Sequence, residues 1–204
     1  MAITYPLPWP TPHRISEVAW APRSVVAENE SPFTVQTERF VHQGMRLACE
    51  VTVHRTTERA IAETFIAFFL SLNGMEGTFR FGDPAGASPR GSASGAPVVD
   101  GAGQSGRTLA ARGWTASAAG VLLAGDWIEV ESWLYKVLTD THADGLGKAT
   151  LDIWPRLRTQ PADGATITTS AARGTFRLAT NTPPWRASRR VFWDGFTVPI
   201  VEAV

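Results

Sequence analysis

Cysteine occurs once in this chain, at Cys49. A single thiol excludes an intramolecular disulfide, a Cys-rich zinc site and an iron–sulfur cluster. An excess of one charge sign is missing as well. Lys+Arg and Asp+Glu each number 19, so the formal net charge is zero. A general binder of nucleic acid or of anionic membranes carries a basic surplus, which argues against both classes while leaving a local basic patch open. No apolar run approaches the ~20 residues needed to span a bilayer. The opening residues Met1-Ala-Ile-Thr-Tyr-Pro-Leu-Pro-Trp-Pro lack a basic start and a continuous apolar core, so they do not read as a signal peptide. A catalytic signature is also missing, and the functional argument therefore rests on architecture.

What the chain does have is apolar mass. Hydrophobic residues make up 44%, enough to bury a real core in one domain or two small ones. Eight tryptophans bring large buried area and an N–H that seeks a partner. Most of them suit two small β cores, with subunit contacts for several as the alternative.

Prolines at positions 6, 8, 10 and 12 forbid a central strand and predict an extended arm lying across its own chain or a neighbour. Residues 23–27 and 34–41 read as strands, Gln43-Gly44 as a turn, and residues 46–54 as a strand with Leu47, Cys49, Val51 and Val53 on one face. Together they predict an antiparallel pair. The period then changes. Ile61, Phe65, Phe68, Phe69 and Leu72 fall on one face of an amphipathic helix, with Thr56-Thr57 as N-cap candidates and Asn73-Gly74 as its stop.

Two short stretches echo each other: Gly77-Thr78-Phe79-Arg80-Phe81 and Gly174-Thr175-Phe176-Arg177-Leu178. Each alternates apolar with polar residues, as a half-buried strand must. Between them the composition shifts to Gly, Ser, Pro and Ala, then to short apolar runs separated by turns such as Asp144-Gly145-Leu146-Gly147. The expectation is a host domain, residues 1–82 and 174–204, interrupted by an inserted domain, residues 83–173. The short strands of the insert predict a small β-barrel. Residues 191–201 read as a bent or paired strand closing the host.

Candidate chemistry is sparse. Gly101-Ala102-Gly103-Gln104-Ser105-Gly106 fits the dinucleotide fingerprint in letters, but no clear strand precedes it and no good helix follows, so it reads as a turn. His42 and His54 flank Cys49, yet Cys49 shares the apolar face of its strand and reads as a buried structural thiol. His13 and His142 lack metal-ligand spacing. Asp140, Asp144, Asp152 and Asp163 sit around turns and are too sparse for a calcium loop. Asn29-Glu30-Ser31 matches a glycosylation acceptor only in letters. Arg186, Arg189 and Arg190 beside Trp185 form the densest basic cluster, suited to an interface, a nucleic-acid contact or a solvated loop.

The run Gly77-Thr78-Phe79-Arg80-Phe81-Gly82-Asp83-Pro84 after the helix, then Gly101-Ala102-Gly103-Gln104 and Ala124-Gly125-Asp126-Trp127-Ile128, resembles the minor tail proteins of long non-contractile-tailed bacteriophages and gene transfer agents. The segments from Gly147 to Arg158 and from Pro161 to Ala165, and the second echo at Gly174, extend the likeness over residues 57–181. The chain looks like a distal tail protein of that family. The resemblance implies a mainly β fold: a tail-tube-like β-sandwich with one amphipathic helix, plus an inserted small barrel-like β domain. It implies a virion structural protein at the tail tip, made in the host cytoplasm. There it would form a hexameric ring with itself and join the tail tube protein to the tip, hub and baseplate proteins. The tape-measure protein and DNA would pass through its lumen. No enzyme activity, cofactor, metal or membrane binding is expected, because the residues display no catalytic or metal-ligating constellation and the matching motifs are turns and strand ends. Catalytic, cofactor-binding and metal residues are accordingly expected to be none. A rival reading is a carbohydrate- or receptor-binding tail module, in which exposed Trp114, Trp127 or Trp133 stack on sugars. A peptidoglycan hydrolase would need a paired carboxylate or Cys/His arrangement that the sequence does not display.

Overall fold

The computed structural model describes residues 3–183 and 195–204. The chain is mainly β, with fourteen strands and one helix among the described residues. In chain order the strands are β1 (Leu7–Pro8), β2 (Ile15–Trp20), β3 (Arg23–Glu30), β4 (Thr37–Arg46) and β5 (Ala48–Val53). After helix α1 (Arg59–Ser71) come β6 (Thr78–Phe81), β7 (Gly95–Val99), β8 (Thr108–Trp114), β9 (Trp127–Val130) and β10 (Trp133–Val137). The remainder are β11 (Lys148–Trp154), β12 (Ile167–Thr168), β13 (Gly174–Leu178) and β14 (Phe196–Glu202).

One six-stranded sheet runs β1-β6-β13-β14-β5-β2. Alternation decides its faces: Cys49, Val51 and Val53 on β5, Phe79 and Phe81 on β6, and Val198 and Ile200 on β14 are all buried. Helix α1 covers that face with Ala62, Phe65, Phe68 and Phe69, all of them buried. Glu58 is the N-cap but makes no side-chain cap bond, while the Thr56 hydroxyl accepts a hydrogen bond from the Glu58 N–H at 3.1 Å. Asn73 and Gly74, at φ 49° and 68°, end the helix in the left-handed region. The proline arm lies on its own chain. Leu7 and Pro8 pair in parallel with β6, and Trp9 enters the helix-covered core.

The echoing segments prove to be neighbours. β13 pairs antiparallel with β6, setting Phe176 beside Phe79 and Gly174 beside Phe81. They are alike because each presents alternate apolar side chains, Phe79 and Phe81 on β6 and Phe176 and Leu178 on β13, to one core from adjacent rows of one sheet. Between them the chain builds a second six-stranded sheet, β12-β9-β10-β11-β8-β7. A bridge from Val98 to Thr166, with the Val99 N–H donating to the Ala165 carbonyl at 2.9 Å, brings its two ends together into a nearly closed barrel. The barrel has its own core, including Leu109, Val121, Ile128, Tyr135, Leu151 and Ile153. Where the chain leaves the first sheet, a Cβ on Gly82 would lie 2.1 Å from the Ala172 carbonyl oxygen. Only glycine lets the outgoing and returning backbones pass this closely.

Three strand expectations change. Gln43-Gly44 is not a turn: β4 continues through it, and a Cβ on Gly44 would press on Val25 at 3.0 Å. β4 pairs with β3, whereas β5 pairs with β2 and β14, so residues 34–41 and 46–54 do not form the expected hairpin. The β3 strand is also longer than residues 23–27, extending to Glu30. The reason is the true turn, at residues 31–36, where the Val35 N–H donates to the Ser31 carbonyl and the Ser31 N–H to the Gln36 carbonyl, each at 2.9 Å. Of the strand expected at residues 191–201, residues 196–201 belong to β14 and residues 191–194 lie outside the described residues.

Candidate interaction surface

The β3–β4 hairpin stands apart from both sheets. Every residue of β3 is exposed, and so is β4 as far as Gly44. Such exposure normally goes with polar sequence, but Val25, Val26, Phe40 and Val41 are at least 45% exposed here. At the tip Phe33 is 92% exposed and Val35 70%. Val35 also sits at φ 56°, a conformation that β-branched residues rarely adopt. Val26 lies opposite Val41 and Glu28 opposite Arg39 on one face, while Ala27 lies opposite Phe40 and Asn29 opposite Glu38 on the other. Each face is therefore apolar in mid-strand and charged or polar nearer the tip. A two-stranded hairpin is at best marginally stable alone in water, and exposed apolar strands invite pairing with another chain. Clustered exposed apolar side chains of this kind mark interaction sites.

An open groove of about 190 Å³ lies at the base of the hairpin, lined by Trp20, Pro22, Leu47, Trp127, Lys136 and Trp154. Trp20 and Trp127 pack with ring centres 4.8 Å apart, and the Lys136 ammonium sits 4.0 Å over the Trp127 ring. Burial pushes the Lys136 pKa down, against the opposing pull of Asp83 and Asp126. The backbone of Leu47, on the groove wall, joins a buried ionic cluster. Glu202, 1% exposed, pairs with Arg158 and accepts the Leu47 N–H at 3.1 Å, while its carbonyl oxygen accepts Arg46 Nη2 at 2.7 Å. The Arg158 N–H donates to the Tyr135 hydroxyl at 3.2 Å, and burial pushes the Tyr135 pKa up to about 12. This cluster ties β14 of the first sheet to the barrel. Sequence reading missed it, although one signal was available: Val198, Ile200 and Glu202 alternate on one face, placing an acid in a buried row.

The remaining candidates are turn chemistry. The Gly101–Gly106 run joins strands β7 and β8. Its Gln104 amide donates to the carbonyls of Asp100, Gly101 and Ala110 and accepts the Ala110 N–H, which makes it a loop clasp. The segments expected to be barely a strand before this run, and a poor helix after it, are both regular strands. Asp144 caps its turn by accepting the Leu146 and Lys148 N–H groups, both at 2.8 Å. Asp163 takes the Gly101 N–H and pairs with Arg112, whose guanidinium holds the Asp163 carboxyl below its usual range. Asp140 accepts the Ala124 N–H, and Asp152 pairs with Arg107. Buried Asp126 accepts N–H groups from Arg90, Gly91 and Leu123 and so fixes the loop before β7.

Cys49 is buried, and burial, reinforced by the Asp83 charge, pushes its thiol pKa far up. His42 is exposed on β4, and His54 Nδ1 contacts the Arg55 carbonyl at 2.9 Å, so neither histidine is bonded to the thiol. The His13 carbonyl accepts the Trp9 indole N–H, and His142 Nδ1 accepts the Gly120 N–H. Among the described residues no group of three or more His, Cys, Asp or Glu side chains is placed to hold a metal. Asn29 and Glu30 end β3 and Ser31 begins the hairpin turn. The tryptophans expected to be exposed for sugar stacking are not. Trp114 and Trp127 are 4% exposed, and Trp133 is half-buried against the barrel core. Trp114 lies in the barrel core and Trp133 against it, while Trp127 packs into the first sheet's core beside Trp20. Trp185, Arg186, Arg189 and Arg190 lie outside the described residues.

No protein-family model matches this chain, and no curated protein matches it in sequence.

Proposed function

We propose that this chain is a structural virion protein. It is a ring-forming distal tail adaptor that joins the tail tube of a long-tailed bacteriophage, or of a gene transfer agent, to the tip or baseplate. The observation that carries the reading is the β3–β4 hairpin, whose apolar residues are exposed on both faces and at the tip. A chain that works alone gains nothing from leaving such a hairpin bare, whereas a subunit of a ring buries it. Zero net charge supports assembly, because like copies then meet no strong long-range repulsion. The hairpin supports association; the place at the tail end, the tube and tip partners and the six-fold number come from the resemblance alone. On this reading the partners are other copies of the chain, the tube protein and the tip or hub proteins, with the tape-measure protein and DNA passing through the lumen. The chain itself performs no catalysis, carries no cofactor and binds no membrane.

The test is an electron-microscopy reconstruction of assembled particles in which this chain is tagged at its C-terminus. A closed ring of tagged copies at the tube end is the expected result. Single scattered copies, or fibres away from the tube axis, would sink the proposal. The sugar-binding alternative finds Trp114 and Trp127 buried and Trp133 half-buried, and the tryptophan groove at the hairpin base is the observation left in its favour.

A further inference from the structure

The hairpin and the groove belong to the same segment yet cannot meet within one copy. Pro22 and Leu47, which line the groove, flank the first residue of β3 and the last of β4. From Arg23 to Glu30 the strands stay paired, apart from one bulge between Ser24 and Val26. Seven steps at ~3.3 Å carry the tip roughly 23 Å from the base. The tip is an aromatic knob: Phe33 is 92% exposed, with Val35 beside it. The groove, about 190 Å³ and walled by Trp20, Trp127 and Trp154, exceeds the ~150 Å³ of an engineered cavity that accepts benzene. By volume it can hold a phenyl ring.

Charge agrees with shape. Near the tip are Glu28, Glu30 and Glu38 against Arg39 alone, which pairs with Glu28 at 3.3 Å. Glu30 and Glu38 have no ion pair among the described residues. At the base, Arg23 stands opposite Arg46, with Arg177 and the Arg158–Glu202 pair close by, and Lys136 on the groove wall faces Asp83 and Asp126. The tip carries an acidic surplus, and the base, with Arg23, Arg46, Arg158, Arg177 and Lys136 against Glu202, Asp83 and Asp126, a smaller basic one.

We propose that the Phe33 tip of one copy seats in the tryptophan groove at the hairpin base of the next copy. The inference rests on the self-assembling reading above and names the contact that would make it. The two surfaces differ, so the interface is heterologous. Repeated copy after copy, it closes into a ring if the rotation allows and grows as a filament if not. Phe33 is the anchor, an aromatic side chain in a desolvated pocket, and the carboxylates and arginines around it set orientation.

The experiment uses the full chain. Thr34→Cys marks the tip and Pro22→Cys the groove, and buried Cys49 contributes little background. A mixture of the two variants, treated with a short bismaleimide, is expected to give a cross-linked dimer, and the double variant a ladder. In sedimentation, Phe33→Ser is expected to weaken association at least ~10-fold while leaving the circular dichroism unchanged, since the side chain touches no core. Thr34→Cys joining only to itself would show tip meeting tip and overturn the proposal, with self-assembly intact. So would Phe33→Ser associating as the parent does. Absence of any association or cross-link overturns the tip-to-groove contact as well. The adaptor reading is judged separately, by ring density at the tube end.

Discussion

Trp9→Ala tests whether the proline arm is part of the fold or a loose appendage. Trp9 is 5% exposed. Its ring centre lies 5.1 Å from that of Phe81, 5.6 Å from Phe68 and Phe79, and 6.2 Å from Phe65 and Phe69. Its indole N–H reaches the His13 carbonyl at 3.2 Å. Truncating a buried aromatic to alanine costs about 3–5 kcal/mol, because the transfer free energy is lost and the surroundings close only part of the cavity. Five aromatic neighbours, fixed by a helix and a sheet, leave little room for collapse, so a value near the upper end is expected. For a chain of this size each kcal/mol lowers the melting temperature by about 2–4 °C, so the variant should melt roughly 10–20 °C early. That is a large share of the ~5–15 kcal/mol typical of a domain. Thermal and urea unfolding followed by circular dichroism measure it, with Trp9→Phe as a control that keeps one ring and should lose much less. A shift of less than ~2 °C for Trp9→Ala would refute the reasoning, because it would mean the arm lies outside the core.

Glu202→Ala should be strongly destabilising, by about 3–5 kcal/mol in urea unfolding, since it leaves the Arg158 guanidinium and the Leu47 N–H buried without their acceptor. A loss under 1 kcal/mol would show that water reaches the cluster. Stability should also fall in alkali. Cys49 and Tyr135 hold their protons in the folded chain beyond the pH at which the unfolded chain gives them up. The unfolded state therefore binds fewer protons, and unfolding becomes easier as pH rises above ~8.5 for the thiol and between ~10 and about 12 for the phenol. In the same measurement series, the native thiol should resist an aromatic disulfide reagent at pH 8 and react at once in urea. Rapid labelling of the native chain would contradict the burial.

Much of the first sheet was legible because its signals are local. The run from Ile61 to Leu72 has one period and one face, and the face it predicts is the one that packs. The echo at Gly77 and Gly174 was legible as similarity, although pairing of the two strands requires that the chain between them return to its starting point. The hairpin was misread because Gln43-Gly44 carries turn letters, and pairing with β3 overrides local preference. The tryptophans were misjudged because a strand pattern tells which residues share a face, and not whether that face is covered.

The sequence by itself determined composition, period and punctuation: a mainly β chain, a single amphipathic helix, a compositionally distinct middle segment, and a lone thiol on an apolar row. These depend on neighbours within a few residues, where backbone geometry leaves few choices. Only the tertiary structure decided what faces what. It laid the proline arm on its own core, closed the barrel from Val98 to Thr166, buried Glu202 against Arg158, and left the β3–β4 hairpin bare above a tryptophan groove. These facts join residues from distant parts of the chain. Burial and exposure are properties of the whole packed surface, and no stretch of letters contains them.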